Sequence, residues 1–213
     1  MNKLVLANLI HRPMRSVISA AAIAIEVVMI ISVAAIFLGQ IDNNRIHTNG
    51  IGADLIVRPP NQSFLNGLGG APIPARNVEA LRKLPHVAVA SPVIQSFNLA
   101  GSPEILFGID YESFNALRPF VFISGGPFQG PNDVIVDDLY ARSTPKNGVP
   151  RVVGATIQEL NHPFRISGIV EHGKGGRIFL PIHTLGALMG SPQNASLFYI
   201  RSDDLKKDRK SVV

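Results

Sequence analysis

The 213-residue chain contains no cysteine, so it has no disulfide framework, no thiolate metal site and no thiol nucleophile. That fits a compartment outside the cytoplasm without requiring one, since small intracellular domains also lack cysteine. A second long apolar run is missing too. After residue 38 the hydrophobic stretches are short, and Arg201 to Val213 is mostly charged.

Signatures of chemistry are equally scarce. Gly173-Lys174-Gly175-Gly176-Arg177 holds the glycines and lysine of a phosphate cradle, but in the wrong order. A P-loop needs G-x-x-x-x-G-K-[ST], so that the lysine reaches phosphate and the hydroxyl holds magnesium; this segment reads as a turn between two strands. His162, His172 and His183 fall on a turn, a strand end and a helix start, with Glu171 the sole adjacent carboxylate. Zinc sites show closer histidine pairs. Asp137-Asp138 and Asp203-Asp204 are neighbours whose side chains diverge, whereas glycosidase-type catalysis needs carboxylates facing each other across a substrate. Asp137 reads as a helix cap. Ser143 has no G-x-S-x-G setting. These patterns name no catalytic residue, cofactor site or metal site, and the reading is of a protein that is not an enzyme.

The net charge of +5 does not indicate nucleic acid. Part of it, Lys3, Arg12 and Arg15, precedes the long apolar run, the later chain mixes both signs, and no basic stripe with interleaved aromatics occurs.

What the chain does have is Val17 to Leu38, apolar over 22 residues with one charge, Glu26. At 1.5 Å per residue this is about 33 Å of helix, against a hydrocarbon core of about 30 Å. Its twelve Ile, Val, Leu and Phe residues each favour insertion by about 0.3–0.6 kcal/mol, which outweighs about 3 kcal/mol for a central charge. The run is therefore expected to cross a membrane. The basic residues before it, with Gln40 and Asp42 after it, place the N-terminus in the cytoplasm and the remainder outside. The rival is a secretory signal cleaved after Ser32-Val33-Ala34, but signal peptides have an apolar region of about 7–15 residues. Glu26 is a candidate intramembrane functional residue, since ionisable groups in lipid usually face a partner or a water path. Ala20, Ala21 and Ala24 would permit close helix contact.

Four parts follow. Residues 1–16 are the cytoplasmic flank, with Met1 to His11 as an amphipathic interfacial helix. Residues 17–38 are the span, residues 39–201 an extracytoplasmic domain, and residues 202–213 a charged tail. Asp42 to Asn49 is expected to continue the helix as a stalk, and Asn61 to Ala71 to be a mobile loop. Strands are expected at Ala53–Arg58, His86–Val89, Val93–Leu99, Glu104–Ile109, Asp133–Val136, Thr156–Leu160, Phe164–Val170, Arg177–Leu180 and Ala195–Arg201. Helices are expected after Pro74, over Ser113–Leu117, from Asp137 and around His183–Met189, with a hairpin turn at Asn161-His162. Strands and short helices mix without strict alternation, so the class is α+β, with a lobe boundary placed near Gly125 to Pro131.

The segment Leu6-Ala7-Asn8-Leu9-Ile10-His11-Arg12-Pro13-Met14-Arg15-Ser16 resembles the opening of the MacB/FtsX-type ABC transporter permeases. These include macrolide exporters and lipoprotein-release and cell-division permeases. Gly52-Ala53-Asp54-Leu55-Ile56-Val57 resembles the first strand of the family's extracytoplasmic core domain. Asp133-Val134-Ile135-Val136 leading to Leu139-Tyr140-Ala141 resembles its strand-to-helix step. Phe164 to Val170 and Ile178-Phe179-Leu180-Pro181 resemble its closing strands. Two departures stand out: many members have glycine where Glu26 sits, and the family's further membrane helices do not follow Arg201. The resemblance implies the N-terminal part of a permease subunit in the cell (inner) membrane. It further implies a partner ABC ATPase that hydrolyses the ATP, a second permease copy forming a dimer, and a periplasmic adaptor. The alternative is a single-span, membrane-anchored binding or sensor protein.

Overall fold

The computed structural model describes residues 13–60, 72–98, 104–143, 148 and 150–203. The interfacial helix expected over Met1 to His11 and the loop expected over Asn61 to Ala71 lie outside the described residues. The chain divides into two compact units, Met1–Arg45 and Ile46–Val213.

Helix α1 spans Pro13–Ile51. Proline suits its first position because that N–H has no intrahelical acceptor in any case. The expected stalk over 42–49 belongs to this same helix. Within it, Val17–Gly39 is long and apolar enough to cross a membrane and none of it is buried, which distinguishes it from the core helix of a globular protein.

The second unit contains β1 (Leu55–Val57), β2 (Ile73–Pro74), α2 (Asn77–Arg82), β3 (Val87–Asn98), β4 (Glu104–Ile109), α3 (Tyr111–Leu117), β5 (Phe122–Gly125) and β6 (Asp133–Asp137). It continues with α4 (Asp138–Arg142), β7 (Thr156–Glu159), β8 (His162–Val170), β9 (Ile178–Pro181), α5 (Ile182–Leu188), β10 (Asn194–Ala195) and β11 (Leu197–Ser202). Among the described residues, nine strands form one mixed sheet in the order β1-β11-β3-β4-β9-β6-β8-β5, with β7 also on β8. The pairs β4/β9 and β6/β8 are parallel. This is an α+β domain, as the mixed pattern indicated.

The sheet is buried on both faces at its centre, and the period-2 alternation of β4 shows how. Leu106 joins Val134, Ile166, Ile178, Leu180 and Leu185 on the α5 side. Phe107 and Ile109 join Phe114, Phe120, Ile135 and Phe179 on the α3 side. Gly108 lies under α5, where a Cβ would stand 2.9 Å from a Leu185 methyl. A third cluster of Val78, Ala90, Ala195, Phe198 and Ile200 lies where α2 packs. Each fully buried Phe, Leu or Ile contributes about 1.5–3 kcal/mol relative to exposure.

Several expectations change in detail. The strands expected on either side of Pro92 are one 12-residue strand, β3. It pairs β11 from Val87 to Val93 and β4 from Val93 onward, so Pro92 lies just past the end of β4, where a missing N–H is tolerated. Pro74 does not start a helix; it pairs with Asn194 in a two-stranded ladder, and α2 begins at Asn77. The hairpin turn is Leu160-Asn161, one residue earlier than expected, both with positive φ (52° and 59°) as a two-residue type I′ turn requires. The strand expected over Ala195–Arg201 is interrupted at Ser196, whose hydroxyl accepts from the Gln95 N–H at 3.1 Å. No lobe boundary falls near Gly125 to Pro131, because strands from both sides of that stretch share the sheet.

Candidate functional site

The candidate site is the seat of the last turn of α1. Ile51 is 3% exposed and belongs to the aromatic core of the α3 face. The last turn of the helix, which lies within the second unit, thus ends as part of that unit's core. Gly50 sits so close to the Gly173 backbone that a Cβ would fall on the Gly173 carbonyl. Gly175, at φ +80°, leaves room for Ile51: a Cβ there would stand 2.6 Å from the Ile51 Cδ1. The glycine-rich segment that resembled a misordered phosphate cradle is therefore a turn fitted around a helix end.

Lys174 lies at its centre and is only 7% exposed. Its ammonium donates to the Arg118 carbonyl and stands 4.6 Å from the ring centre of Phe120 and 5.9 Å from that of Phe114. Among the described residues no carboxylate lies within ion-pair distance of it. Burial, assisted by the like charge of Arg118, lowers its pKa from 10.5 to about 8. The neighbouring Leu117 carbonyl accepts from Arg201 at 2.8 Å. Two carbonyls at the C-terminal end of α3 are thus satisfied by cations, as the free acceptors and negative dipole of a helix end favour.

The chain enters and leaves the domain at this same place. Asp54, just after α1, donates its N–H to the Ile200 carbonyl at 2.8 Å. Its carboxylate accepts from the Ser202 N–H at 2.9 Å. Strands β1 and β11 then run antiparallel, with Leu55 opposite Ile200.

The remaining candidates are dispersed. Asp137 caps α4 as expected, accepting from the Tyr140 N–H at 2.6 Å; burial raises its pKa despite that bond. Asp138 points elsewhere, as adjacent residues should. It accepts from the His172 N–H at 3.1 Å, lies 2.9 Å from His172 Nδ1, and pairs with Arg142 at 3.2 Å. Burial would raise its pKa, but the His172 bonds and the Arg142 charge outweigh it and hold the carboxyl below its ordinary value. The sequence pointed only to Glu171 beside His172; Asp138 is 34 positions away, a distance no local pattern reveals. His162 instead meets Asn132 at 3.0 Å. Among the described residues no group of three or more metal-ligating side chains occurs. Glu26 lies in the middle of the exposed span of α1.

Residues 16–208 match the MacB-like periplasmic core domain family. Among solved structures, the extracellular domain of the noncanonic ABC-type transporter YknZ from Gram-positive bacteria aligns at 12% identity. The alignment covers 73% of this chain and 86% of that one, with a TM-score of 0.54. The periplasmic region of MacB from Actinobacillus actinomycetemcomitans aligns at 16% identity over 76% of this chain and 82% of that one, with a TM-score of 0.56. Identities this low show a shared fold. A comparison with curated proteins returned no match. The family match begins at the threshold of the span and extends past β11, and this chain belongs to the MacB-like periplasmic core domain family.

Proposed function

We propose that this chain serves as a permease subunit, or its N-terminal part, in an ABC-type exporter. Helix α1 anchors it in the cell membrane with its N-terminus in the cytoplasm, and the sheet-rich domain lies outside. The chain hydrolyses no ATP itself; a partner ABC ATPase does so. A second permease copy and a periplasmic adaptor complete the assembly. Residues 1–16 form the cytoplasmic flank, 17–38 the span, 39–201 the extracytoplasmic domain and 202–213 the charged tail.

The observation that carries this reading is the junction. The last turn of α1, which belongs to the domain's own unit, ends in Ile51 of the core, and β11 pairs beside β1. A binding domain on a simple tether has no need of a helix built into its core. A domain that responds to its membrane helix does, because the helix end then packs among the sheet's own core residues. Glu26, in this reading, faces another membrane helix of the assembly.

The test is purification of the tagged chain from native membranes in mild detergent. Recovery of an ATP-binding subunit with it, and protection of the domain from a protease applied on the cytoplasmic side, are the expected results. A chain that leaves the membrane as a soluble product cleaved near Ala34, or one with its domain in the cytosol, overturns the proposal.

A further inference from the structure

We propose that the loop from Glu171 to Arg177 is a releasable strap over the last turn of α1, with Lys174 as the part that lets go. Both ends of the loop are held. Upstream, His172 is tied to Asp138 through its N–H at 3.1 Å and its ring nitrogen at 2.9 Å. Downstream, the loop enters β9, a central strand between β4 and β6. The middle has two glycines in the left-handed region, Gly173 at φ +105° and Gly175 at φ +80°. They let the segment between them swing without disturbing either anchor.

The fastening at the centre is weak by construction. A buried ammonium is held well when a carboxylate faces it, and poorly when its partners are neutral. Lys174 has one backbone carbonyl and two aromatic faces, and its neighbour Arg118 carries the same charge. Moving into water restores its full hydration, so the strap closes against a penalty that an uncharged side chain would not carry. When Lys174 leaves, Gly173 withdraws from Gly50 and Gly175 uncovers Ile51. The end of α1 is then free to shift relative to Phe107 and β4. This deepens the permease reading and rests on it for the consequence in transport, since it names the point where helix movement is engaged or released. The strap itself is tested without any ATPase.

The chain has no cysteine, so Ile51→Cys supplies a sole thiol at a position 3% exposed. The full chain in membranes is labelled with a charged maleimide, with and without Lys174→Met. The expected result is labelling at least ten times slower with methionine, because the strap then stays shut. Equal or faster labelling overturns the proposal. Deuterium exchange is followed in β4 of the same samples; faster exchange there in the Lys174→Met chain means that Lys174 supports the whole sheet, which also overturns it. Gly175→Ala acts in the opposite sense, through its positive φ and the clash with Ile51, and is expected to speed labelling at least tenfold while β4 stays protected. No change in labelling refutes the strap. Transport by the reconstituted assembly is read separately: an assembly indifferent to ATP removes the permease reading and leaves the labelling result standing.

Discussion

Replacing Lys174 with methionine removes a buried ammonium while keeping an unbranched side chain of similar length. The size of the effect follows from the lowered pKa. A fall from 10.5 to about 8 corresponds to about 3 kcal/mol of disfavoured charge at about 1.4 kcal/mol per pH unit. Water reaching a surface loop screens part of this, so we expect Lys174→Met to stabilise the domain by about 1–2 kcal/mol at pH 7. The pH dependence is the sharper signature. The unfolded lysine keeps its proton up to about pH 10.4, whereas the folded one begins to lose it near pH 8. Between these values the unfolded chain binds more protons, so wild-type stability rises with pH through that window. The methionine variant lacks this rise. Urea denaturation of both chains at pH 7, 8 and 9.5 measures it, and the gap is expected to shrink by about 1–2 kcal/mol across the series. Two parallel stability curves, or a variant less stable than wild type at pH 7, would show that Lys174 is held by stronger partners and refute the reasoning.

Asp137 tests the balance between capping and burial. Asp137→Ala is expected to cost about 1–2 kcal/mol in thermal or urea unfolding by leaving the Tyr140 N–H without its acceptor. Asp137→Asn, which keeps the cap and has no charge to bury, is expected to match or exceed wild type. The Asp138 carboxyl, held below its ordinary value, contributes stability present above the unfolded value of about 3.9 and lost as pH falls through the folded one; His172→Ala should shrink that acid-side loss, seen in unfolding midpoints between pH 5 and 2. Glu26→Gln should leave the domain's circular dichroism and melting unchanged while altering ATP turnover of the reconstituted assembly. Equal turnover of the two forms removes Glu26 from the mechanism.

Features governed by near neighbours could be read from sequence alone. The apolar run from Val17 to Leu38 declares its length and composition without reference to any other residue, and α1 follows. Asp137 caps the helix three residues ahead of it, and the short apolar runs of β4, β6 and β9 mark strands wherever they pair. What failed was decided at a distance. Pro92 looked like a terminus until β3 proved to change partners there, and Pro74 was recruited by a strand 120 positions away. In the sequence, Lys174 was legible only as part of a turn between two strands. Its burial exists because Phe114, Phe120 and the Arg118 carbonyl come from the far side of β6 to β8 in sequence and enclose it in space.

Local periodicity, charge placement and turn chemistry thus determined the long apolar helix, the α+β class and most elements, since each rests on interactions within a few residues. Tertiary structure alone decided the strand order, the meeting of β1 with β11, and the conversion of a glycine-rich turn into a seat for Ile51. The physical reason is that burial and loss of hydration depend on which segments are brought together, and a side chain's charge acquires its cost only when that assembly removes it from water.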